Sequence, residues 1–274
     1  MQSAPKVLLI SSTVATSRVG ASAASFCLQR LGVETVILPT TLMGRHPGWG
    51  TPGGGAVETA RLSDMWKAIR AQDLRFDAVL TGYMGERSHV DLAAEIIADV
   101  RDISPDAKIW VDPVMGDNGA LYIPEDRAAA IRDHLVPLAD CITPNLWELS
   151  WLSGQNLQTP QDIRAQATKH RSALITSVPD ADQIGAVWKD ADGAWITAHA
   201  RFDSVPHGGG DSLAAILLAH HLRGLDAQMA LRTAVGSIFD IMRAADAVDA
   251  GELPLVRCQS ALIAPNLLDL KDYA

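Results

Sequence analysis

The sequence predicts an α/β fold: a central, mostly parallel sheet covered by helices on both faces. Three observations carry this expectation. Short apolar runs such as Val7-Leu8-Leu9-Ile10 and Ala173-Leu174-Ile175 alternate with longer helical stretches, the rhythm of repeated β-α units. The runs are apolar without a polar alternation, as strands buried on both faces are. Polar and Gly-rich residues follow the runs, and sheets of this class bind ligands beyond the carboxyl ends of their strands.

In order along the chain, Val7 to Ser12 reads as a buried strand and Ala21 to Leu31, small and apolar, as a helix ending at Gly32. Glu34 to Thr40 makes the next strand. Met43 to Gly55 holds so many Gly and Pro residues that an irregular loop is expected, one able to fold over a ligand. Val57 to Gln72 is helical, Asp77 to Tyr83 a strand, Ser88 to Ile103 a helix and Lys108 to Val114 a strand. Pro124 to Leu135 is a helix with Pro in its tolerated first turn, Cys141 to Thr143 a short strand, and Leu146 to Leu152 a helix. Pro160 to His170 is helical and Ser172 to Val178 extended. Gln183 to Lys189 and Ala194 to Arg201 then form a hairpin around Asp192-Gly193, which breaks the β-α rhythm. Asp211 to Arg223 and Ala227 to Ala245 are the last strong helices, and the tail from Gly251 scatters apolar residues suited to lie over the body.

With 274 residues, 48% hydrophobic and 20% charged, and with no Ser/Pro-rich linker, residues 1–274 are expected to form a single domain with a sizeable core. Cys27, Cys141 and Cys258 are odd in number, far apart and without CxxC spacing, so neither a disulfide framework nor a zinc site is indicated and a reducing cytoplasm is expected. The N-terminal stretch has no signal-peptide pattern, and no run approaches a membrane span. A net charge of -9 without a basic cluster disfavours nucleic acid, while a small anion can still bind to backbone donors and a metal.

Gly208-Gly209-Gly210-Asp211-Ser212 stands at the mouth of the apolar run Leu213 to Leu222. Three glycines can turn N–H groups toward an anion, and a helix start adds orphan donors and the favourable end of the dipole. A carboxylate there repels phosphate unless it takes a proton from an attacking hydroxyl, which points to phosphoryl transfer to an alcohol. The competing reading is a loop end with Asp211 as a helix cap. Asp112, after its strand, and Asp117, after Gly116, give two carboxylates at the ligand edge, enough for Mg²⁺ when phosphate oxygens complete its shell; Asp112-Pro113 and Asp117-Asn118-Gly119 also read as plain turns. Asn145 and Glu148 share one helical face, either toward phosphates and metal or as a cap with a first-turn acid. Thr176-Ser177 and Ser12 are strand-end hydroxyls suited to phosphate or substrate contact, or to ending a strand. Tyr83 and His46 offer a stacking face or a polar contact, with packing as the alternative. His220-His221 point apart on a helix and make no metal pair. Neither a P-loop nor the protein-kinase motif set is present.

Taken together, the pattern resembles the pyridoxal kinase branch of the ribokinase-like family over most of the chain. It includes Ser12, Val19-Gly20, His46, Gly50 and Thr81-Gly82-Tyr83-Met84-Gly85. It continues with Asp112-Pro113-Val114-Met115-Gly116-Asp117, Pro137-Leu138-Ala139-Asp140, Thr143-Pro144-Asn145, Glu148 and Gly208-Gly209-Gly210-Asp211, which looks like the family's GxGD motif. The resemblance implies a three-layer α/β/α sandwich, ATP as phosphoryl donor, Mg²⁺ and a monovalent cation such as K⁺. The primary hydroxyl of pyridoxal, pyridoxine or pyridoxamine would be the acceptor, and the protein a homodimer. It implies Asp211 as base, Gly208 to Gly210 as anion hole, and Asp112 and Thr143 near a cation. Asp117, Asn145, Glu148, Thr176 and Ser177 would lie near Mg-ATP, and Ser12, Val19, His46 and Tyr83 near the substrate ring.

The departures fall on the substrate side. Ser17-Arg18-Val19-Gly20-Ala21 stands where the family often has GxxGN, Pro47 follows His46 where Thr is usual, and Gly209 replaces a frequent Thr, which makes a more flexible loop expected. A hydroxymethylpyrimidine acceptor and a non-catalytic B6-vitamer-binding protein of the same fold are the competing readings.

Overall fold

The computed structural model describes residues 4–117 and 119–273. β1 (Lys6–Val14), β2 (Glu34–Met43), β4 (Ala78–Thr81), β5 (Lys108–Val111), β8 (Cys141–Ile142) and β9 (Ser172–Asp180) form a parallel block in the order β9-β8-β5-β4-β1-β2. β3 (Gly54–Ala56) extends it antiparallel beyond β2, and β10 (Gln183–Lys189), β11 (Ala194–Ala200) and β12 (Leu270–Asp272) extend it antiparallel beyond β9. β6 (Gly116–Asp117) and β7 (Ala120–Leu121) pair as a separate short hairpin.

Alternate residues of each buried strand feed two cores. Val7 and Leu9 pack with α1 (Gly20–Arg30), α7 (Gly209–Leu222) and α8 (Ala227–Asp246). Leu8 and Ile10 pack with the opposite layer: α2 (Thr59–Arg70), α3 (Arg87–Ile103), α4 (Glu125–Ala130), α5 (Leu146–Ser153) and α6 (Pro160–Ala167). This is the expected ribokinase-like three-layer α/β/α arrangement, and it explains the uninterrupted apolar strands, since both pleat faces are covered. α3 shows its buried stripe plainly: Val90, Ala93, Ile96, Ile97 and Val100 recur at helical spacing. In α7 every residue from Ser212 to His220 is buried, because the helix is sandwiched between the sheet, α1 and α8. Its first turn, Gly209 to Asp211, emerges from this packing at the carboxyl edge of the sheet, half-buried to exposed.

From β1 the chain moves outward to β2 and then returns to β4 on the other side of β1. That reversal opens the sheet between β1 and β4 at their carboxyl ends, the usual ligand crevice of open α/β sheets. A small cavity lies there, lined by Ser11, Gly20, Thr81, Gly82, Asp112 and Asp211.

Several expected boundaries move. Met43 to Gly55 is not wholly irregular: it contains a single 3-10 turn at Pro47–Trp49 and ends in β3. The helix expected over Pro124 to Leu135 is α-helical to Ala130, then widens into a π turn at Ile131–Leu135 and tightens into 3-10 at Val136–Leu138. The tail does more than cover the body, since β12 pairs with β11. Cys27, Cys141 and Cys258 are free thiols. Among the described residues no helix is long and apolar enough to cross a membrane.

Candidate functional site

The parallel register sets a row of residues along one edge. Ser11 and Ser12 lie in β1, Gly82 and Tyr83 follow β4, Asp112 follows β5, Thr143 to Asn145 follow β8, and Thr176-Ser177 lie in β9 beside Asn145. α7 presents its N-terminus to the same edge. Gly208 caps it in the left-handed conformation, φ 92° and ψ 2°, and a Cβ there would strike the Arg18 carbonyl oxygen. Only glycine fits both demands.

The first intrahelical bond of α7 runs from Ser212 N–H to Gly208 O at 3.0 Å. The N–H groups of Gly209, Gly210 and Asp211 thus stand ahead of the ladder as orphan donors. Gly209 and Gly210 are helical, which corrects the expectation of a loop made flexible by Gly209; Gly209 packs toward the Met242 side chain. Asp211 occupies the first turn, beside the Gly20 backbone N–H. Burial raises its pKa, and the Gly20 hydrogen bond opposes the rise. A base with raised affinity is better matched to accepting a proton near neutral pH than an ordinary carboxylate.

Asp112, Glu148 and Asp211 form an acidic centre. Asp112 is raised well above the usual carboxylate range by burial, then by the negative charges of Glu148 and Asp211, while the Thr143 hydroxyl works in the opposite direction. Thr143 Oγ1 is nevertheless buried without a well-formed hydrogen bond among the described residues. Glu148 is 4% exposed, and burial lifts its pKa to about 7. Its Oε1 accepts from Met115 N–H at 2.9 Å and Gly116 N–H at 3.4 Å, and its Oε2 from Asn145 N–H at 2.9 Å. Asn145 Oδ1 accepts from Glu148 N–H at 2.8 Å, so the two residues make a capping box at the start of α5. The helix-cap alternative is therefore present, and it orients the Glu148 carboxylate against the Asp112 side of the cleft.

This donor set fits a hydrated divalent cation. Asp112, crowded by the negative charges of Glu148 and Asp211, and the orphaned Thr143 hydroxyl would attract one, yet among the described residues no three acidic, His or Cys side chains converge tightly enough to cage a metal alone. Mg²⁺ is accommodated by such a site when phosphate oxygens and waters complete its octahedron.

Asp117 is exposed and ends β6, paired with Ala120 of β7; the turn expected over Asp117-Asn118-Gly119 falls on Asn118, which lies outside the described residues. Thr176 N–H donates to Pro144 O at 3.0 Å. Ser177 is not a strand end, as expected, but an exposed bulge residue in mid-β9 with φ 59°. Strained positive φ at a non-glycine residue is a mark of functional edges. Ser12 is likewise inside its strand, packed against Gly20; Val19 is the extended N-cap of α1. Tyr83 packs on the core, and Arg127 Nη1 reaches its hydroxyl at 3.5 Å. His46 caps the 47–49 turn, Nδ1 accepting from Gly48 N–H at 3.2 Å.

Residues missed in the sequence also border this edge. Ser11 Oγ and Thr81 Oγ1 are buried and unpartnered among the described residues at the β1/β4 crevice; Thr81-Gly82 stood in the motif, but nothing local marked the hydroxyl. Tyr122 is largely exposed, yet desolvation by its neighbours and the negative charges of Glu148, Asp112, Asp211 and Asp117 raise its phenol pKa, which locates it at the open side of the acidic centre.

Comparison with known proteins agrees with this geometry. Residues 29–256 match the family model described as phosphomethylpyrimidine kinase. The chain is 33% identical over 273 residues to the pyridoxal kinase of Corynebacterium diphtheriae, covering 95% of this chain and 96% of that one. Its fold superposes on the pyridoxal kinase of Entamoeba histolytica with a TM-score of 0.91 at 23% identity, covering 98% and 99% of the two chains. The pyridoxal kinase of Leishmania donovani in complex with ADP and pyridoxamine superposes with a TM-score of 0.87 at 26% identity, covering 96% and 97%.

Proposed function

The chain belongs to the pyridoxal kinase branch of the phosphomethylpyrimidine kinase family, and from that premise we propose how it carries out ATP-dependent phosphorylation of a B6 vitamer at its primary hydroxyl. The observation that supports the assignment of roles is the first turn of α7: one carboxylate with raised proton affinity beside three orphan amides, at the crevice between β1 and β4.

Asp211 accepts the proton of the vitamer hydroxyl as its oxygen attacks the γ-phosphate, and ADP leaves. The Gly208 to Gly210 segment turns the orphan amides of Gly209, Gly210 and Asp211 toward the cleft, and these with the dipole of α7 hold the transferring phosphoryl oxygens, the electrostatic stabilisation on which phosphoryl transfer depends. Asp117, Asn145, Glu148, Thr176 and Ser177 line the nucleotide side. Ser12, Val19, His46 and Tyr83 face the acceptor ring. Asp112, Thr143 and Glu148 hold the cations, Mg²⁺ and a monovalent ion such as K⁺. The divalent ion, when bound, neutralises charge on the β- and γ-phosphates. The ADP complex of the Leishmania kinase supports ATP as donor. Residues 1–274 act as a single kinase domain, in the cytoplasm, as a homodimer; one continuous sheet with a core on each face supports the first of these.

The test is phosphate transfer from Mg-ATP to pyridoxal, pyridoxine, pyridoxamine and hydroxymethylpyrimidine, with Asp211→Asn as control. Turnover of a vitamer that falls by about 100-fold or more in the variant, with nucleotide binding retained, is the expected result for a lost general base. Turnover of the pyrimidine alone would move the acceptor, and unchanged turnover in the variant would remove Asp211 as base.

A further inference from the structure

The loop over residues 44–53 is closed on itself at its base. Gly44 N–H donates to Pro52 O at 3.0 Å and to Gly53 O at 2.9 Å, and Arg45 Nε to Thr51 O at 2.7 Å. Its tip, the turn at Pro47–Trp49, reaches across to a different part of the chain. The His46 ring lies against the His207 ring with centroids 4.4 Å apart and planes at 33°. Trp49 fills the space a side chain at Gly251 would need, and His207 N–H donates to Gly251 O at 3.3 Å. His207 directly precedes Gly208, the cap of α7. The two ring contacts therefore tie the loop tip to the segment that carries the anion hole.

The hydrogen bonding of His46 fixes its tautomer. Nδ1 accepts from Gly48 N–H, so in the neutral ring the proton sits on Nε2 and that nitrogen is a donor. A donor at this point suits an acceptor molecule whose ring carries oxygen substituents. Its usefulness depends on the ring being held at one angle, and among the described residues the loop itself offers that ring one polar contact, from Gly48 N–H. His207 supplies the second surface.

We propose that His207 is a positioning residue for the acceptor: its ring holds His46, and with it the 46–49 turn, over the crevice that contains Asp211. The role is distinct from any assigned above, because His207 acts through His46 rather than by touching substrate or nucleotide. It rests on the kinase reading of the site. The flat ring matters more than its nitrogens, so an aromatic replacement retains the function and a small one loses it.

The experiment compares His207→Ala and His207→Phe with the unaltered protein, after the latter has been shown to phosphorylate a B6 vitamer. In His207→Ala the acceptor KM rises about tenfold while the KM for ATP and kcat stay within about twofold, the pattern of lost uniform binding on one substrate only. In the ligand-free protein, amide exchange at Gly48, Trp49 and Gly50 accelerates about tenfold, a local opening rather than global unfolding. His207→Phe restores both quantities to within about threefold. An unchanged acceptor KM in His207→Ala overturns the proposal, as does an equal rise in both KM values or a failure of His207→Phe to rescue. Absence of vitamer turnover in the unaltered protein would instead fell the kinase reading, and this inference with it.

Discussion

Replacing Glu148 by Gln tests the acidic centre in two independent ways. In the folded protein the Glu148 carboxyl holds its proton to about pH 7, against an ordinary value of 4.5, and the largest cause is burial. Above pH 4.5 the unfolded chain has released this proton while the folded chain keeps it, so the folded state loses relative stability as pH rises through that window. The shift of 2.5 units, from 4.5 to about 7, corresponds to about 3 kcal/mol at 1.36 kcal/mol per unit. Glutamine keeps the shape of the carboxyl and cannot ionise, but its NH2 must face a backbone N–H that a Glu148 oxygen accepts from, a cost of about 1–2 kcal/mol that is the same at every pH. Urea unfolding of both proteins without Mg²⁺ or nucleotide therefore shows the stability difference moving by about 2.5 kcal/mol in favour of Glu148→Gln between pH 5, where the unfolded carboxyl is partly ionised, and pH 8. With Mg²⁺ and ATP the order reverses in function: the variant needs a higher Mg²⁺ concentration for half-maximal activity. A variant less stable than the unaltered protein by the same amount at both pH values would show that the carboxyl is comfortable as an anion, and the reasoning would fail. An unchanged Mg²⁺ titration would remove Glu148 from the cation site while leaving the stability argument intact.

Two further substitutions probe the backbone of the same edge. Gly208→Ala must place a Cβ onto the Arg18 carbonyl oxygen at φ 92°, so it lowers unfolding free energy by about 3 kcal/mol or more and kcat by about 100-fold, read by denaturation and steady-state kinetics; normal values in both would contradict the fit. Ser177→Gly relieves a residue held at φ 59° and stabilises the ligand-free protein by about 0.5 kcal/mol after the entropy of glycine in the unfolded chain is subtracted. It also removes a hydroxyl from the proposed nucleotide side and is expected to raise the KM for ATP; loss of stability instead would show that the bulge is not strained.

The parallel block was legible because its strands are buried on both faces and its helices carry a one-sided apolar stripe, two patterns that need no knowledge of distant residues. The antiparallel hairpin was legible from Asp192-Gly193. What stayed hidden depended on pairing across the chain. β12 is three residues long and takes its identity from β11, some seventy positions away, and β3 is Gly-rich and recognisable only through β2. Ser177 looked like a strand end because the apolar run Ala173-Leu174-Ile175 stops before it; the bulge that lets β9 continue is set by its partner β10. The residues of the cleft were found where a carboxylate or glycine run stood out against its neighbours, as with Asp211, Asp112 and Glu148. Ser11 and Thr81 did not stand out, since their importance lies in being buried without a partner, a property of the packed sheet and not of the local sequence. His207 is a similar case: an isolated ring until the loop tip is folded back against it.

The electrostatics of the cleft constrain the order in which it can be filled. Burial and mutual repulsion raise the proton affinity of Asp112, burial does the same for Asp211 and Glu148, and no Lys or Arg is among the groups that set the acidity of any of the three. On the kinase reading proposed above, the favourable charge offered to a nucleotide would come from backbone amides at the start of α7, and a triphosphate placed beside these carboxyls would bring a divalent cation with it or follow one in. With a cation in place, its positive charge would lower the proton affinity of Glu148 and Asp112. The carboxyls that destabilise the ligand-free fold near neutral pH would then become stabilising, and because Glu148 is held by the α5 capping box and by the Met115 and Gly116 amides, the proposed occupancy of the cleft would be felt at both segments.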